Sequence, residues 1–408
     1  MELRPILSTL RRHKTAAALI VLEIALSCAI ICNALFLIGG RLDRMNRVTG
    51  VAEDEIVRVQ VTGIGQDEND TALTRTDLAA LRALPGVKSA SVTNMVLYGG
   101  SSWNTGVFRN PDETQTTLNA AMYLGDARLP ETMGLKLVKG RFFNEDEMIP
   151  WAVANEPGVD IQIPSVIITQ SMADTLWPGA DPLGKRIYGG DDTGSQVVGV
   201  VEKMARPNDQ GGYEAYHYSM IYPIDVPYTT GGNYLIRVDP QRREETLKAA
   251  VAVLERNGPN RIILDQSLLT DMRRDFYAQD RAMSWMLVLV SVLLLVVTAL
   301  GIVGLASFWV AQRTKQIGVR RALGATRAQV LRYFQLENFV LATLGIVIGM
   351  MLAYGLNQMM MERASLPRLP AMYLPIGAVV LWLLGQLSVL GPARRAAAVP
   401  PAVATRSV

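Results

Sequence analysis

The residues from Gly179 to Arg186 match the G-x-x-x-x-G-K pattern of loops that cradle nucleotide phosphates. In such loops the residue after the lysine is Ser or Thr, whose hydroxyl binds Mg²⁺, and here it is Arg186. Pro182 lies in the middle of the segment, and no strongly apolar strand precedes it. We therefore predict a turn and no nucleotide site.

The remaining residues that could do chemistry are few. The chain has two histidines, His13 and His217, and neither is near a cysteine, which excludes a histidine-based metal cluster. The acidic runs at Asp191-Asp192 and at residues 145–147 lie in Gly-rich or turn-like surroundings, where solvated charge is the ordinary state. The sequence predicts that the chain is not an enzyme and binds no cofactor or metal.

The composition instead indicates an integral membrane protein. Half of the 408 residues are apolar, 19% are charged, and the mean hydropathy is +0.19. A helix needs about 20 apolar residues to cross the ~30 Å of hydrocarbon. Four stretches meet this length, and we predict transmembrane helices at residues 16–38, 283–310, 333–361 and 371–391.

The first stretch also resembles a secretory signal peptide, with Ala25-Leu26-Ser27 as a crude cleavage site. The apolar run continues past this site to Ile38, and Glu23 would lie inside the apolar core of the signal. A retained span is therefore favoured. Its Cys28 and Cys32 are the only cysteines, and they are expected to act as small apolar residues rather than as a disulfide framework.

Charge predicts the orientation of the spans. Residues 1–15 carry four basic residues and one acidic residue. Residues 313–332 carry six basic residues, residues 392–408 carry three, and neither segment has an acidic residue. By the positive-inside rule, both termini and the loop at 311–332 are cytoplasmic. Residues 41–281 hold 25 basic and 33 acidic residues, a net charge of −8, and are predicted to be extracytoplasmic, as is the short loop at 362–370.

The region between the first two spans is long enough to form a domain of its own. A strand–helix–strand pattern lies near each end of this region. The predicted elements of the first cover residues 55–61, 76–84 and 87–96, and those of the second cover residues 234–238, 242–256 and 261–264. Together they predict an α+β part formed by residues 41–104 and 231–281, with an inserted second lobe at 105–230 that contains strands at 165–169 and 196–201. Residues 266–281 are predicted to be a helical stalk that continues into the second span.

The basic loop at 311–332 carries clear helix signals. Arg320 and Arg321 lie where a last helical turn favours cations, and Gly324 follows as the residue that ends the helix. Thr326 and Gln329 have the spacing of a capping box that begins a new helix. The pattern predicts a rigid cytoplasmic elbow. An ordinary positive-inside loop explains the charge alone, whereas a docking site for a soluble partner also explains the helix signals.

Two acids lie within or at the start of spans. Glu23 is in the first span and Glu337 begins the third, and an ionisable residue in a membrane is by default a functional candidate. Both lie near basic segments, so we favour pairing with basic residues over a proton relay.

Four stretches of this sequence resemble the MacB/FtsX-type ABC transporter permease family. They are QRTKQIGVRRALGATRAQVLRYFQLENFVLATLGIVIG, VIITQSMADTLWPGADPLGKRI followed by VVGVV, GLKLVKGRFF, and the tail PARRAAAVPPAVATR. The first is similar to the family's R-x-x-E-I-G-I-R-R-A-L-G-A loop, with Gln316 where an acid is usual.

The resemblance implies a fold of four transmembrane helices and a large periplasmic α+β domain, with a porter-like part and an inserted lobe. It implies a dimer of identical or related permeases in a bacterial inner membrane, served by two cytoplasmic ATPases that hold ATP and Mg²⁺. Because only about fifteen residues precede the first span, we expect the ATPase to be a separate polypeptide. The docking role is carried over to the residues of the elbow that match the family's loop: Arg313, Thr314, Lys315, Gln316, Ile317, Gly318, Arg320, Arg321, Ala322, Leu323, Gly324 and Ala325.

Two functions remain open at this point. The first is the membrane subunit of an ATP-driven exporter or efflux system, working with membrane lipid around it and, in some members, with a periplasmic adaptor and an outer-membrane channel. The second is a signalling permease that moves nothing and activates a cell-envelope hydrolase or a sensor. The sequence does not identify a cargo.

Overall fold

The computed structural model describes residues 14–64, 69–156, 162–189, 193–208, 215–364, 368–398 and 400. The chain divides into two compact units. One, the membrane unit, comprises Met1–Asn46 and Gln279–Val408, and the other, the extramembrane domain, comprises Arg47–Ala278.

The membrane unit contains, among the described residues, four helices that are long and apolar enough to cross a membrane. They are TM1 (Lys14–Met45), TM2 (Ala278–Gln312), TM3 (Arg327–Ala364) and TM4 (Tyr373–Ala398). A short helix, Thr314–Ala322, follows TM2, and we call it the elbow helix. The helices extend past most of the predicted spans: TM1 continues seven residues beyond 38, and TM4 includes the start of the predicted tail.

TM1, TM3 and TM4 pack closely because small residues line their contacts. A Cβ added to Gly349 of TM3 would lie 2.5 Å from Cys28 Cβ, and one added to Gly377 of TM4 would lie 2.5 Å from Cys32 Sγ. The Asn33 side-chain amide donates to the Ala353 carbonyl at 3.2 Å. Both cysteines are fully buried here, as small residues in a helix interface, and their Sγ atoms are 4.0 Å apart.

The extramembrane domain is built on one mixed sheet. Its main path has the strand order β12-β1-β11-β2-β4-β10-β7-β9-β5, and β3, β6 and β8 pair at its sides. The strands are β1 (Ile56–Gly63), β2 (Val87–Thr93), β3 (Asn104–Val107), β4 (Leu118–Gly125), β5 (Leu137–Gly140), β6 (Ile149–Pro150), β7 (Ser165–Thr169), β8 (Arg186–Ile187), β9 (Ser195–Val201), β10 (Ser219–Asp225), β11 (Asn233–Val238) and β12 (Arg261–Leu268). The helices are Asp70–Arg82, Leu129–Thr132, Trp151–Ala154, Gln170–Leu176, Arg243–Asn257 and Leu269–Phe276.

The two strand–helix–strand units form the first four strands of this path. β1 and β2 flank Asp70–Arg82, β11 and β12 flank Arg243–Asn257, and the strands lie in the antiparallel order β12-β1-β11-β2. The helices bury Leu78, Leu81 and Leu254 against the valines of β1, which form part of one apolar core.

The strands of the predicted inserted lobe continue the same sheet through a narrow junction. Between β2 and β4 a single residue pair, Thr93 with Gly125, is in register. The Asn94 side chain extends the junction, because its amide donates to the Met122 carbonyl at 3.1 Å and its Oδ1 accepts from the Leu124 amide at 2.9 Å.

The predicted continuous helix from 266 to 281 is wrong. Residues 266–268 belong to β12, and the next helix ends at Phe276, before TM2 begins at Ala278. Long-range contacts fix this arrangement: Arg273 of that short helix donates to both carboxylate oxygens of Glu53 at 3.0 Å and to the Arg47 carbonyl at 3.0 Å. These bonds hold the short helix against the first residues of the extramembrane domain.

Candidate functional site

The elbow turns sharply between the elbow helix and TM3. Gly324 has φ +96°, and the chain closes the helix by two bonds, from the Ala325 amide to the Arg320 carbonyl at 3.0 Å and from the Gly324 amide to the Arg321 carbonyl at 3.1 Å. This is the Schellman pattern, which favours glycine at the left-handed position. Gly324 therefore ends the helix as predicted.

The new helix begins with the predicted capping box. The Gln329 amide donates to Thr326 Oγ1 at 3.3 Å, and Gln329 Oε1 accepts from the Thr326 amide at 2.8 Å. Two of the amides that a helix start leaves without partners are thus satisfied. Local hydrogen bonds therefore define both sides of the turn.

One face of the elbow helix is exposed and combines apolar with basic side chains. Leu323 is 83% exposed and Val319 is 47% exposed, although both are large apolar residues. The other exposed members of this face are Lys315, Gln316, Arg320 and Ala322. We call these six residues the exposed face. A compact apolar patch with cations around it is typical of a surface that a protein partner covers.

The opposite face is buried against the helices of the same unit. Ile317 and Gly318 are buried, and Arg313 forms an ion pair with Glu337 of TM3, with Arg313 Nη1 2.9 Å from Glu337 Oε2. Arg321 Nη1 donates to the Ala397 carbonyl near the end of TM4 at 2.7 Å. These residues hold the elbow in place, so the predicted docking set divides into an exposed part and an anchoring part.

A groove of about 240 Å³ lies between the elbow helix and the start of TM3. Its lining includes Gln316, Arg320 and Tyr333, and the Arg320 guanidinium lies over the Tyr333 ring at 5.0 Å. No acidic residue lines the groove among the described residues. Arg313 also lines the groove but is paired with Glu337, so Arg320 is the cation that can receive a carboxylate from a partner.

The other predicted site residues have simpler roles. The Thr314 hydroxyl donates to carbonyls of the preceding turn, Val310 at 3.1 Å and Ala311 at 2.9 Å. Among the described residues Glu23 forms no ion pair, and its carboxylate oxygens lie 2.4 Å from the position that a Cβ on Gly301 of TM2 would take. For Glu337 the structure shows a basic partner, Arg313, which belongs to the elbow.

The phosphate-loop-like segment is a turn. It follows a helix, Gln170–Leu176, and leads into strand β8, which reverses the strand-to-helix order that a phosphate loop requires. Gly179 and Gly184 have φ values of +71° and +79°, which explains the two glycines as turn residues. Lys185 lies over the Trp177 ring at 5.1 Å.

The other chemical candidates of the extramembrane domain are also structural. His217 Nε2 is 2.7 Å from the Val48 carbonyl, and burial lowers the pKa of its imidazole. Glu147 pairs with Arg141 at 2.6 Å, which lowers the pKa of the carboxyl group. Asp191 and Asp192 lie outside the described residues.

Two family models match the chain. The model of the MacB-like periplasmic core domain matches residues 17–254, more than half of the 408 residues, and the model of the FtsX-like permease C-terminal matches residues 288–401. The chain belongs to the MacB/FtsX-like family of ABC transporter permeases. It is a membrane protein with a MacB-like periplasmic domain, and the elbow lies within the second match.

Curated relatives agree with this membership. The permease is 24% identical to the macrolide export ATP-binding/permease protein MacB of Marinobacter nauticus, over 99% of this chain and 60% of that protein. It is 23% identical to an uncharacterized ABC transporter permease, YknZ, of Bacillus subtilis, over 83% of this chain and 80% of that one. The chain thus spans 60% of the length of that MacB relative. The crystal structure of the periplasmic region of MacB from Actinobacillus actinomycetemcomitans matches 55% of the permease at 15% identity, with a TM-score of 0.34.

Sequence reasoning missed three residues at this site. Val319 was not in the predicted docking set, although Lys315, Val319 and Leu323 recur every four residues and so share one helix face. Tyr333 and Trp309 were also missed, and each lies under an arginine, Arg320 and Arg313 respectively. The Arg320–Tyr333 contact joins two helices and leaves no spacing signal, whereas Trp309 and Arg313 have the i, i+4 spacing of one helix face and could have been found.

Proposed function

We propose that this permease is the membrane-spanning subunit of an ATP-driven ABC exporter, and that its elbow docks a separate cytoplasmic ATPase. The observation that carries the proposal is the exposed face, where Leu323 and Val319 project beside Lys315 and Arg320 on a helix fixed at both ends. A helix that transmits force from a partner to the membrane spans needs two features: exposed side chains that the partner can bind and a rigid attachment to the spans.

Charge supports a cytoplasmic position for this surface. The exposed Arg394 and Arg395 of TM4 lie close in sequence to Ala397, which accepts the bond from Arg321, so the elbow and the end of TM4 form one basic surface. Short basic segments remain on the cytoplasmic side of bacterial inner membranes. This charge distribution supports a cytoplasmic position for both termini and the elbow, with the extramembrane domain in the periplasm.

The exposed face predicts the chemistry of its partner. Apolar side chains at the centre of an interface contribute most when a pocket excludes water around them, while charges at the rim govern association rate and specificity. The ATPase should therefore present an apolar pocket for Leu323 and Val319, with acidic residues that face Lys315 and Arg320. ATP and Mg²⁺ would bind to two copies of that ATPase, and a second permease, identical or related, would complete the complex.

The test is a quantitative binding assay between the permease in nanodiscs and the ATPase that co-purifies with it in mild detergent. Leu323→Asp places a desolvated charge in the apolar pocket, and we expect affinity to fall by roughly 10- to 100-fold. Leu264→Asp is the matched control, because Leu264 is a 57% exposed leucine of the extramembrane domain. Unchanged affinity of a folded Leu323→Asp variant would contradict docking through this face.

The same pull-down separates export from signalling. An envelope adaptor or channel that co-purifies with the permease supports export, whereas a cell-wall hydrolase or a sensor kinase in its place supports the signalling alternative.

A further inference from the structure

Arg313 lies at the junction between TM2 and the elbow helix. Its backbone amide donates to the carbonyls of Trp309 at 3.1 Å and Val310 at 3.2 Å, which closes the end of TM2. Its own carbonyl accepts from the Ile317 amide at 2.9 Å, which opens the elbow helix. The backbone between these bonds is not helical, with φ −102° and ψ 9°. Any bending between TM2 and the elbow helix must therefore occur at this residue.

The side chain of Arg313 connects this break to a third element. Its Nη1 donates to both carboxylate oxygens of Glu337 in TM3, at 3.0 and 2.9 Å. The two side chains are only 8% and 2% exposed. One residue thus joins the end of TM2, the start of the elbow helix and TM3.

Stability alone does not explain a buried ion pair at this position. The cost of removing two charges from water often exceeds their attraction, and apolar residues of similar size commonly stabilise a fold at least as well. The pair also lies among unpaired donors: Arg313 Nη2, Trp309 Nε1 and Asn338 Nδ2 are buried, and none has a hydrogen-bond partner in the part of the chain that the structure describes.

We propose that the Arg313–Glu337 ion pair is a latch that fixes the angle of the elbow helix against TM3 and so carries ATPase-driven force into TM2. A short, directional ion pair resists rotation at the helix break, whereas an apolar contact lets the helices slide. Without the latch, a push on the elbow helix is absorbed by bending at residue 313. Arg313 and Glu337 are positioning residues, since both side chains are buried and act on the elbow helix through their ion pair. The proposal rests on the proposed docking of an ATPase.

The test uses the permease with its ATPase in nanodiscs and compares docking with coupling. The key variant is Arg313→Met with Glu337→Leu, which removes both charges and keeps the volume apolar, so that the fold survives. We expect ATPase affinity to change by no more than about twofold, because the exposed face is intact. Permease-stimulated ATP turnover should fall at least about fivefold, the range of a lost coupling between sites. Lys315→Met is the control for docking, because it removes an exposed cation of the same helix. It should lower the affinity for the ATPase and leave the stimulated ATP turnover at saturating ATPase nearly unchanged.

The single variants separate a positioning role from a structural one. Arg313→Met leaves the Glu337 carboxylate buried and unpaired, so this variant should be less stable than the double variant. The stimulated ATP turnover should fall in Arg313→Met and in the double variant alike. A double variant that is as stable as the wild type but uncoupled supports the latch. A double variant with normal stimulated turnover overturns it, as does one whose turnover falls only because the ATPase no longer binds.

A second measurement does not depend on the ATPase, so failure of docking and failure of the latch are distinguishable. Hydrogen exchange of the backbone amides of residues 314–322 in the permease alone should be faster in the double variant than in the wild type. Exchange in the middle of TM3 should be unchanged. Equal exchange of the elbow helix in the two proteins would overturn the latch, whether or not an ATPase binds.

Discussion

TM1 and TM2 are both long apolar helices, yet they are packed in opposite ways. In the most apolar 18-residue stretch of TM1, 56% of the residues are buried within the chain, and in that of TM2 only 11% are. TM3 and TM4 lie between these values, at 33% each. TM1 is therefore part of the bundle, whereas few residues in the corresponding stretch of TM2 are buried within the chain.

The difference follows from side-chain size rather than from hydrophobicity. In a bilayer, apolar surface gains little by leaving lipid, so helices associate where small residues allow close approach and where polar groups bond across the interface. TM1 supplies Ala25, Cys28 and Cys32, and TM3 faces it with Gly345 and Gly349. The outward surface of TM2 consists of large aliphatic side chains, among them Leu289, Val292, Leu293, Val296, Val297 and Leu300. Span prediction by hydropathy finds both helices and does not distinguish them.

The largest effect should come from enlarging a glycine in the packed interface. A Cβ on Gly349 would lie 2.5 Å from Cys28 Cβ and 2.6 Å from the Ala25 carbonyl oxygen, and a backbone atom cannot yield as a side chain can. Gly349→Leu should therefore separate TM1 from TM3 and destabilise the permease by roughly 3 kcal/mol or more. Thermal unfolding in detergent, followed by tryptophan fluorescence, would measure the loss.

Gly304 of TM2 is the matched control. A Cβ at this position would have no heavy atom within 4 Å, so Gly304→Leu should change stability by no more than about 0.5 kcal/mol. If both substitutions destabilise the isolated permease equally, then TM2 is packed within a single chain and the contrast between the spans is wrong.

Much of the fold could be predicted because local patterns and tertiary packing agree. Strand β7, a short apolar run, and the helix Arg243–Asn257, which carries a helical periodicity, were found within one residue, since each has a local sequence pattern. The stalk was mispredicted because residues 266–268 satisfy a strand pattern less clearly than a helical one, and their pairing with β1 decides the outcome. Long-range pairing of this kind leaves no local signal.

The candidate site was likewise predictable only where the structure depends on residues close in sequence. Gly324, Thr326 and Gln329 were predictable because capping depends on neighbours in sequence. The division of the elbow into an exposed and an anchoring face was not, because Arg313 and Arg320 have the same charge and both contact TM3, and only the buried Arg313 meets a carboxylate there. Glu337 pairs with a residue 24 positions away, across the elbow turn.

A smaller effect should follow from releasing TM2 where it is held to TM1. Asp280, near the start of TM2, is almost fully buried and accepts from Arg41 at 2.5 Å and from Arg44 at 3.2 Å. Asp280→Asn removes the charge that two arginines share, and the loss should be about 1.5–3 kcal/mol, the range for hydrogen bonds to charged groups. Thermal unfolding would measure it, with Trp285 of TM2 as a nearby fluorescent reporter.

Asp43→Asn is the control for this change. Asp43 lies between the same two arginines in sequence and is exposed, so its neutralisation should leave the melting temperature within experimental error. Equal effects of the two substitutions would mean that net charge, and not the Asp280 ion pairs, sets the stability of this end of the membrane unit.

The smallest effect should come from the hydrogen bond between Ser27 of TM1 and Thr298 of TM2. Their hydroxyl oxygens are 2.7 Å apart and both residues are buried, so this bond joins the two spans deep in the membrane unit. A double-mutant cycle with Ser27→Ala and Thr298→Val, read by unfolding in mixed micelles, should give a coupling of about 0.6 kcal/mol, the average for such bonds in membranes. Ser27→Ala combined with Ser291→Ala should show no coupling, because the Ser291 hydroxyl donates to the Leu287 carbonyl of its own helix. A Ser27–Thr298 coupling above about 1.7 kcal/mol would exceed the largest value expected for such a bond and would mean that TM2 is held to TM1 as firmly as TM3 is.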